Sequence, residues 1–393
     1  MSSKMKRFAF SALAAVALLT LLILPVRAEQ EAADVARSCT ITASANKKYI
    51  SRMLNPDHQK YWPCTQGDSL EIQAPAGTLV QGVMISFLGE VPQLTVRSGD
   101  RIIATYSDCF ISNYIPFSEP VSRFSIDIRQ CRDKARINHL YVLSEGTLPD
   151  WVQRWKLLEE PADLMVVATH PDDELLWFGG LLPTYAGAYG RKVQLVYMVG
   201  NNPYRRNELL NGLWTCGVQY YPEIGAFPDK CGRTVKSCLS LWGENEPRQY
   251  ITEMLRKHRP SVVVTQDING EYGHAHHRVT VQAVIDAATG LSADGAWDAD
   301  SAARYGLWQP HKLYLHLWPE GQLTFDWRQP LDAFHGKTSL EIARKAFKQH
   351  TSQQKGKYHI LDSGRLDCRL FGLYWSDVGP DKAMNDLLEH IAP

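Results

Sequence analysis

The chain has 393 residues, more than a single hydrophobic core usually organises, so it has room for two domains. Lys plus Arg and Asp plus Glu number 42 each, for a formal net charge of zero. That balance argues against nucleic acid as a partner and against an anionic membrane surface, and leaves recognition to a local site.

In chain order, Lys4, Lys6 and Arg7 precede an apolar run from Phe8 to Leu24, and Val26-Arg27-Ala28 offers a small-residue cleavage site. Residues 1–28 read as a secretory signal peptide, with an uncleaved anchor as the alternative. Membrane contact is expected only if that segment stays uncleaved, and the remainder is expected to be secreted or at the cell surface. Eight cysteines suit an oxidising compartment and predict disulfides. Cys39 with Cys64, Cys109 with Cys131, and Cys231 with Cys238 are the sequence-local pairings, leaving Cys216 and Cys368, although spacing alone does not choose among connectivities.

Residues 37–146 predict a small all-β sandwich. Phe124, Ile126 and Ile128 alternate with polar residues at the period of a half-buried strand, and Ser98-Gly99-Asp100 joins "QLTV" to "RIIATY" as a hairpin. After "EGTLPDWVQRW" the pattern changes. Over 155–393, buried strands at Leu164 to Ala168, Val193 to Val199 and Ser261 to Thr265 alternate with helices at Arg205 to Cys216, Arg248 to His258 and Val279 to Ala288. A further helix follows in "TSLEIARKAFKQH", with Leu340, Ala343 and Phe347 on one face. The expected fold class is α/β: a Rossmann-like, mostly parallel sheet with helices on both faces, preceded by the sandwich.

Two polar clusters each follow a predicted strand, at the carboxyl ends where open α/β sheets bind ligands. The first is "THPDDE", with His170, Asp172, Asp173 and Glu174; the second is "NGEYGHAHHR", with His274, His276 and His277. Crowding three acids beside a histidine is costly unless a cation shares the site. Imidazole and carboxylate suit zinc, and a catalytic zinc takes three protein ligands and keeps one position open. His170, Asp173 and one downstream histidine would supply the ligands, leaving Asp172 free as a base. Taken singly, an HPD tripeptide is often a strand-ending turn and a histidine pair often lies on the surface; two clusters behind two strands favour the metal reading.

The pair of motifs resembles the zinc-dependent LmbE-like, or PIG-L, deacetylases, which remove acetyl groups from N-acetylglucosamine units. The resemblance covers roughly Asp163 to Gln353. It implies His170, Asp173 and His277 as Zn2+ ligands, Asp172 as general base, His274 as an oxyanion stabiliser and proton donor, Tyr272 as a group that polarises the amide carbonyl, and Arg205 as a substrate contact. An N-acetylated sugar or glycan is the implied partner. The alternatives are a zinc amidase for a different amide conjugate, or a secreted glycan-binding protein with little catalysis. Many members have an aspartate where this chain has His276, which bears on the acid role of His274 but not on the ligands; His276 itself reads as a supporting rather than a fourth ligand. More weakly, "RMLNPDHQKYWPC" followed by "SLEIQAP" resembles a discoidin-like, carbohydrate-binding module. Tyr61 and Trp62 there, and Trp177, Trp214 and Trp242 beyond it, read as core before they read as sugar platforms.

Overall fold

The computed structural model describes residues 30–392 apart from positions 56, 58, 109, 201 and 231. The signal-peptide reading of 1–28 therefore lies outside the described residues, among which no helix is long and apolar enough to cross a membrane.

The first half is an antiparallel sandwich of a five-stranded and a four-stranded sheet. Phe124, Ile126 and Ile128 point into its core while Ser125 and Asp127 do not, as the alternation requires. Strands Gln93–Ser98 and Arg101–Tyr106 pair with Ser98 opposite Arg101, so Gly99 and Asp100 form a two-residue turn, with Gly99 at φ 59°. Trp62 is fully buried and its indole N–H donates to Ala45 O at 3.2 Å, whereas Tyr61 is half-buried with the Arg136 guanidinium 5.4 Å from its ring. Trp62 is thus a core residue. Trp62→Ala is expected to destabilise the sandwich by about 3–5 kcal/mol through lost burial and a residual cavity, read by denaturant unfolding.

Of the sequence-local pairings only Cys39 with Cys64 has both partners among the described residues, and that bridge is not formed. Cys64 faces the sandwich interior with Sγ 3.7 Å from Ala135 O, Cys131 donates to Asp133 O at 2.7 Å, and Cys39, Cys64, Cys131, Cys216 and Cys368 are all free thiols. Cys39 sits at the entry to strand Thr40–Ala43, whose partner strand is Ser69–Gln73, while Cys64 pairs into the other sheet, so sequence proximity does not bring the two together. Cys109 and Cys231 lie outside the described residues.

The second half is built on a seven-stranded sheet. Strands Glu223–Phe227, Val193–Val199, Leu164–Ala168, Val262–Thr265 and Lys312–His316 run parallel in that spatial order; Leu370–Ser376 adds antiparallel to Lys312–His316, and Gln322–Thr324, antiparallel to Leu370–Ser376, forms the edge. Leu164–Ala168 and Val193–Val199 are buried along their whole length because helices cover both faces. One face packs on Leu209, Leu213, Leu340, Ala343 and Phe347, the other on Ile251, Leu255, Val281 and Val284. The fold class is the expected one. The chain passes from Leu164–Ala168 outward through Val193–Val199 and Glu223–Phe227, then returns to the other side at Val262–Thr265. The topological switch point, where such sheets open a crevice, therefore lies directly beyond the two strands that carry the polar clusters.

The halves share a packed seam. Phe110 and Ile111 of the sandwich join the core of the second half, Phe110 lies 4.6 Å from the Tyr221 ring, and Asn207 donates to Phe87 O at 3.1 Å. Helix Pro203–Thr215 carries Asn207, so the same helix that reaches the crevice with Arg205 is anchored on the sandwich.

Candidate metal centre and active site

Strand Leu164–Ala168 ends at Thr169, and the chain turns at His170 so that Asp173 N–H donates to His170 O at 3.2 Å before helix Asp173–Leu176 begins. Asp172, which precedes that helix, has φ 132°, a backbone region that L-residues adopt only under constraint. The turn sends the Asp173 carboxylate back toward the strand end, where Oδ2 accepts the His170 backbone N–H at 2.7 Å and Oδ1 accepts the Trp177 indole N–H at 2.8 Å.

The second cluster is placed by the loop after Val262–Thr265. Gly270, at φ 72°, admits no side chain because a Cβ would meet His274 O at 2.6 Å. His274 is the extended residue ahead of helix Ala275–Thr289, which begins four residues before its predicted start and so carries His276 and His277 in its first turn. The apolar periodicity that set the prediction begins only at Val279, behind the histidines.

Across the switch point, His170 Nδ1, Asp173 Oδ2 and His277 Nε2 form a closed triangle with sides of 3.1, 3.3 and 3.4 Å. A tetrahedral zinc with bonds near 2.0–2.2 Å separates its ligand atoms by about 3.3–3.6 Å, so this donor set fits the ion with almost no movement. All three residues are buried. Burial opposes ionisation of Asp173, but the facing His277 and His170 rings outweigh it and hold that carboxyl well below its usual range.

Glu271, in the same loop, aims the third donor. Its Oε2 lies 2.6 Å from His277 Nδ1, which leaves Nε2 for the triangle, and its Oε1 lies 3.3 Å from His316 Nδ1. Sequence reasoning assigned Glu271 nothing, although it lies inside the second motif. Glu271→Gln keeps the shape and removes the charge, and zinc affinity measured by chelator competition is expected to fall about 10- to 100-fold with the fold retained.

Asp172 stands beside the triangle without entering it. Its Oδ1 is 3.0 Å from Arg205 Nη2, and Arg205 also reaches Pro171 O. Burial pushes the Asp172 carboxyl up to about 7, with Arg205 opposing and Asp173 reinforcing the rise. Behind it, Glu174 accepts the Asp172 backbone N–H at 2.9 Å and faces His350 Nε2 at 3.2 Å.

On the open side lie His274 and Tyr272, with ring centroids 5.0 Å from His170 and 5.8 Å from His277 respectively. Tyr272 stacks on Tyr358 at 4.3 Å and is partly exposed. Burial and then the neighbouring imidazoles lower His274 to about 3, so the ring is neutral near pH 7 and donates or accepts a hydrogen bond rather than carrying a charge. His276 turns away from the triangle: its Nδ1 is 2.9 Å from His170 Nε2, its ring stacks on Trp242 at 4.7 Å, and Asp229 Oδ1 lies 3.8 Å off. It braces a ligand from behind. Asp229, which no motif marks, also faces Arg205 at 3.6 Å and lines a crevice of about 490 Å³ with Lys230, Arg233, Tyr272 and His274. Trp177 and Trp242 are buried supports of this site, whereas Trp214 lies elsewhere.

The triangle combines the donor types of a catalytic zinc site with a position at the switch point, where open α/β sheets bind ligands. Residues 165–288, which contain every residue of the triangle, match the family model described as PIG-L, GlcNAc-PI de-N-acetylase. A 1D-myo-inositol 2-acetamido-2-deoxy-alpha-D-glucopyranoside deacetylase of Mycobacteroides abscessus is 31% identical over 183 residues, 38% of this chain and 58% of that protein. The chain thus spans little more than half the length of such curated relatives. Among solved structures, an N,N'-diacetylchitobiose deacetylase from Pyrococcus horikoshii is 19% identical, covering 50% of this chain and 72% of the other at a TM-score of 0.35. A family 32 carbohydrate-binding module from C. perfringens in complex with galactose is 15% identical, covering 28% of this chain and 98% of the other at a TM-score of 0.25.

Proposed function

We propose that this protein is an exported zinc-dependent N-deacetylase that hydrolyses the acetamide of an N-acetylglucosamine unit in a glycan or glycoconjugate. The single observation that carries the reading is the closed triangle of His170, Asp173 and His277 with a second, non-ligating carboxylate at its edge. The PIG-L match and the acetamido-sugar deacetylases among the relatives support the substrate class, and the signal-like N-terminus supports export.

A dication held in the triangle supplies Lewis acidity, polarising a carbonyl and bringing the pKa of a nearby water to about 7. Asp172 accepts the proton of the attacking water, and Arg205 keeps its carboxylate pointed into the crevice. Tyr272 and neutral His274 donate hydrogen bonds to the oxygen of the tetrahedral intermediate. Because His274 is neutral, the proton that reaches the leaving amine is the one Asp172 has taken up, so one carboxyl serves first as base and then as acid. The products are acetate and a free amino sugar.

The pH profile follows from the requirement that Asp172 be ionised. Its raised carboxyl puts the acid limb of kcat/KM near pH 7, and a neighbouring dication, which favours the carboxylate, moves that limb lower but never higher. Acetate release measured from about pH 5 to about pH 8 is expected to fall on the acid side with a single ionisation. An increase in activity on acidification would contradict Asp172 as the base. Acetate release from N-acetylglucosamine, chitooligosaccharides and cell-wall fragments tests the function and ranks substrates.

A further inference from the structure

A second concavity lies at the other end of the sheet. Helix Pro203–Thr215 places Arg205 at the crevice and Trp214 nine residues on, roughly 14 Å away at 1.5 Å per residue. At that far end lie two cavities, one of about 490 Å³ lined entirely by residues from Asp150 onward and one of about 300 Å³ to which the sandwich adds Met84 and Tyr141; they share Trp151, Trp214 and Thr215 and so form one trough.

Its lining is uneven in a specific way. Trp151 is 43% exposed, a large aromatic left facing solvent, and its ring leans on Tyr141 at 5.1 Å. The indole N–H of Trp214 is tied to Asp150 O at 2.6 Å, which fixes that ring in the wall. The smaller cavity adds the amides of Gln153, Asn211 and Gln349. The larger one is flanked by Arg154, Lys337 and Lys345, all exposed, against Asp150 as its one carboxylate, and none of these three cations has an ion-pair partner among the described residues. Scattered surface lysines are ordinary, but three cations without an ion pair at the mouth of a cavity bounded by two indoles, one of them held by a hydrogen bond, are not, in a chain whose total charge is zero. Within its lining two backbone segments approach closely, since a Cβ on Gly217 would meet Gly187 Cα at 2.6 Å.

Flat aromatic faces take the C–H faces of a pyranose ring, amides bond its hydroxyls, and unpaired guanidinium and ammonium groups take a carboxylate. We infer that the trough is a second saccharide-binding site, separate from the crevice, that holds an acidic, carboxylate-bearing glycan strand. The inference does not depend on the deacetylase reading, because binding is measured without turnover.

The test uses the full chain and isothermal titration with a hyaluronan octasaccharide, which bears a carboxylate on every second sugar, against neutral chitohexaose. The acidic strand is expected to bind more tightly, with affinity falling as salt rises. Trp151→Ala, and separately Lys337→Ala with Lys345→Ala, are each expected to weaken it about tenfold or more, the lysine pair also flattening the salt dependence. These surface changes should leave circular dichroism and acetate release from a small substrate at the wild-type level. Equal affinity for the two glycans, no binding, or binding that survives both variants would overturn the assignment. Loss of acetate release with trough binding intact would instead strike the deacetylase reading alone.

Discussion

Asp172→Asn is expected to bind zinc as the wild type does and to lose two to four orders of magnitude in turnover, about 3–5 kcal/mol of transition-state stabilisation. Asparagine fills the same space and still accepts from Arg205, whose Nη2 lies 3.0 Å from the aspartate oxygen. What it cannot do is take a proton. Among the described residues the other acids near the triangle are engaged elsewhere: Glu174 by the Asp172 backbone and His350, Glu271 by His277 and His316, and Asp229 by Arg205 and by the outer nitrogen of His170, both at 3.6 Å. Metal content after dialysis and acetate release are measured on the same preparation. Wild-type turnover in the variant would remove Asp172 from the chemistry.

Asp173→Ala is expected to fail differently although the two acids are adjacent. It deletes one corner of the triangle and leaves His170 and His277, whose facing nitrogens lie 3.3 Å apart, as an incomplete pair. It also unpairs the Trp177 indole N–H, which donates to Asp173 Oδ1 at 2.8 Å inside a buried site, so a loss of stability of about 1–3 kcal/mol accompanies the loss of metal. Zinc added in excess should recover part of the activity, whereas it recovers none in Asp172→Asn. A zinc titration of both variants separates a missing ligand from a missing base; full metal retention by Asp173→Ala would require a different ligand set.

The sequence made legible those elements whose signal is local. "LMVVA" and "SVVVT" are short apolar runs that only a strand buried on both faces explains, and the polar clusters directly behind them fixed where the crevice opens. Strands toward the rims gave no such signal. Glu223–Phe227 is only partly buried and contains Gly225, required because a Cβ would meet Met198 O at 2.5 Å, and Leu370–Ser376 contains Gly372, where a Cβ would run into Trp318 O. The metal ligands were visible through their motifs, and their supports were not. Glu271 becomes meaningful only when folding brings His316 to it, and Asp229 only when its loop swings over His170 and His276. The neutrality of His274 likewise comes from burial among other imidazoles, which no spacing along the chain reports. Cys39 and Cys64, adjacent in sequence spacing, stay apart because sequence proximity says nothing about which sheet of a sandwich a residue enters.

The most direct measurement is acetate released from an N-acetylglucosamine substrate by one preparation before chelator treatment, after it, and after reconstitution with zinc. Activity is expected to vanish with the metal and to return as about one equivalent of zinc per chain is restored, since the two candidate donor groups both need His170 and only the triangle with Asp173 supplies a carboxylate. Acetate release that persists unchanged in the fully stripped protein, or none at all from any N-acetylated sugar with the zinc site filled, would contradict the assignment of this site as a metal-dependent deacetylase.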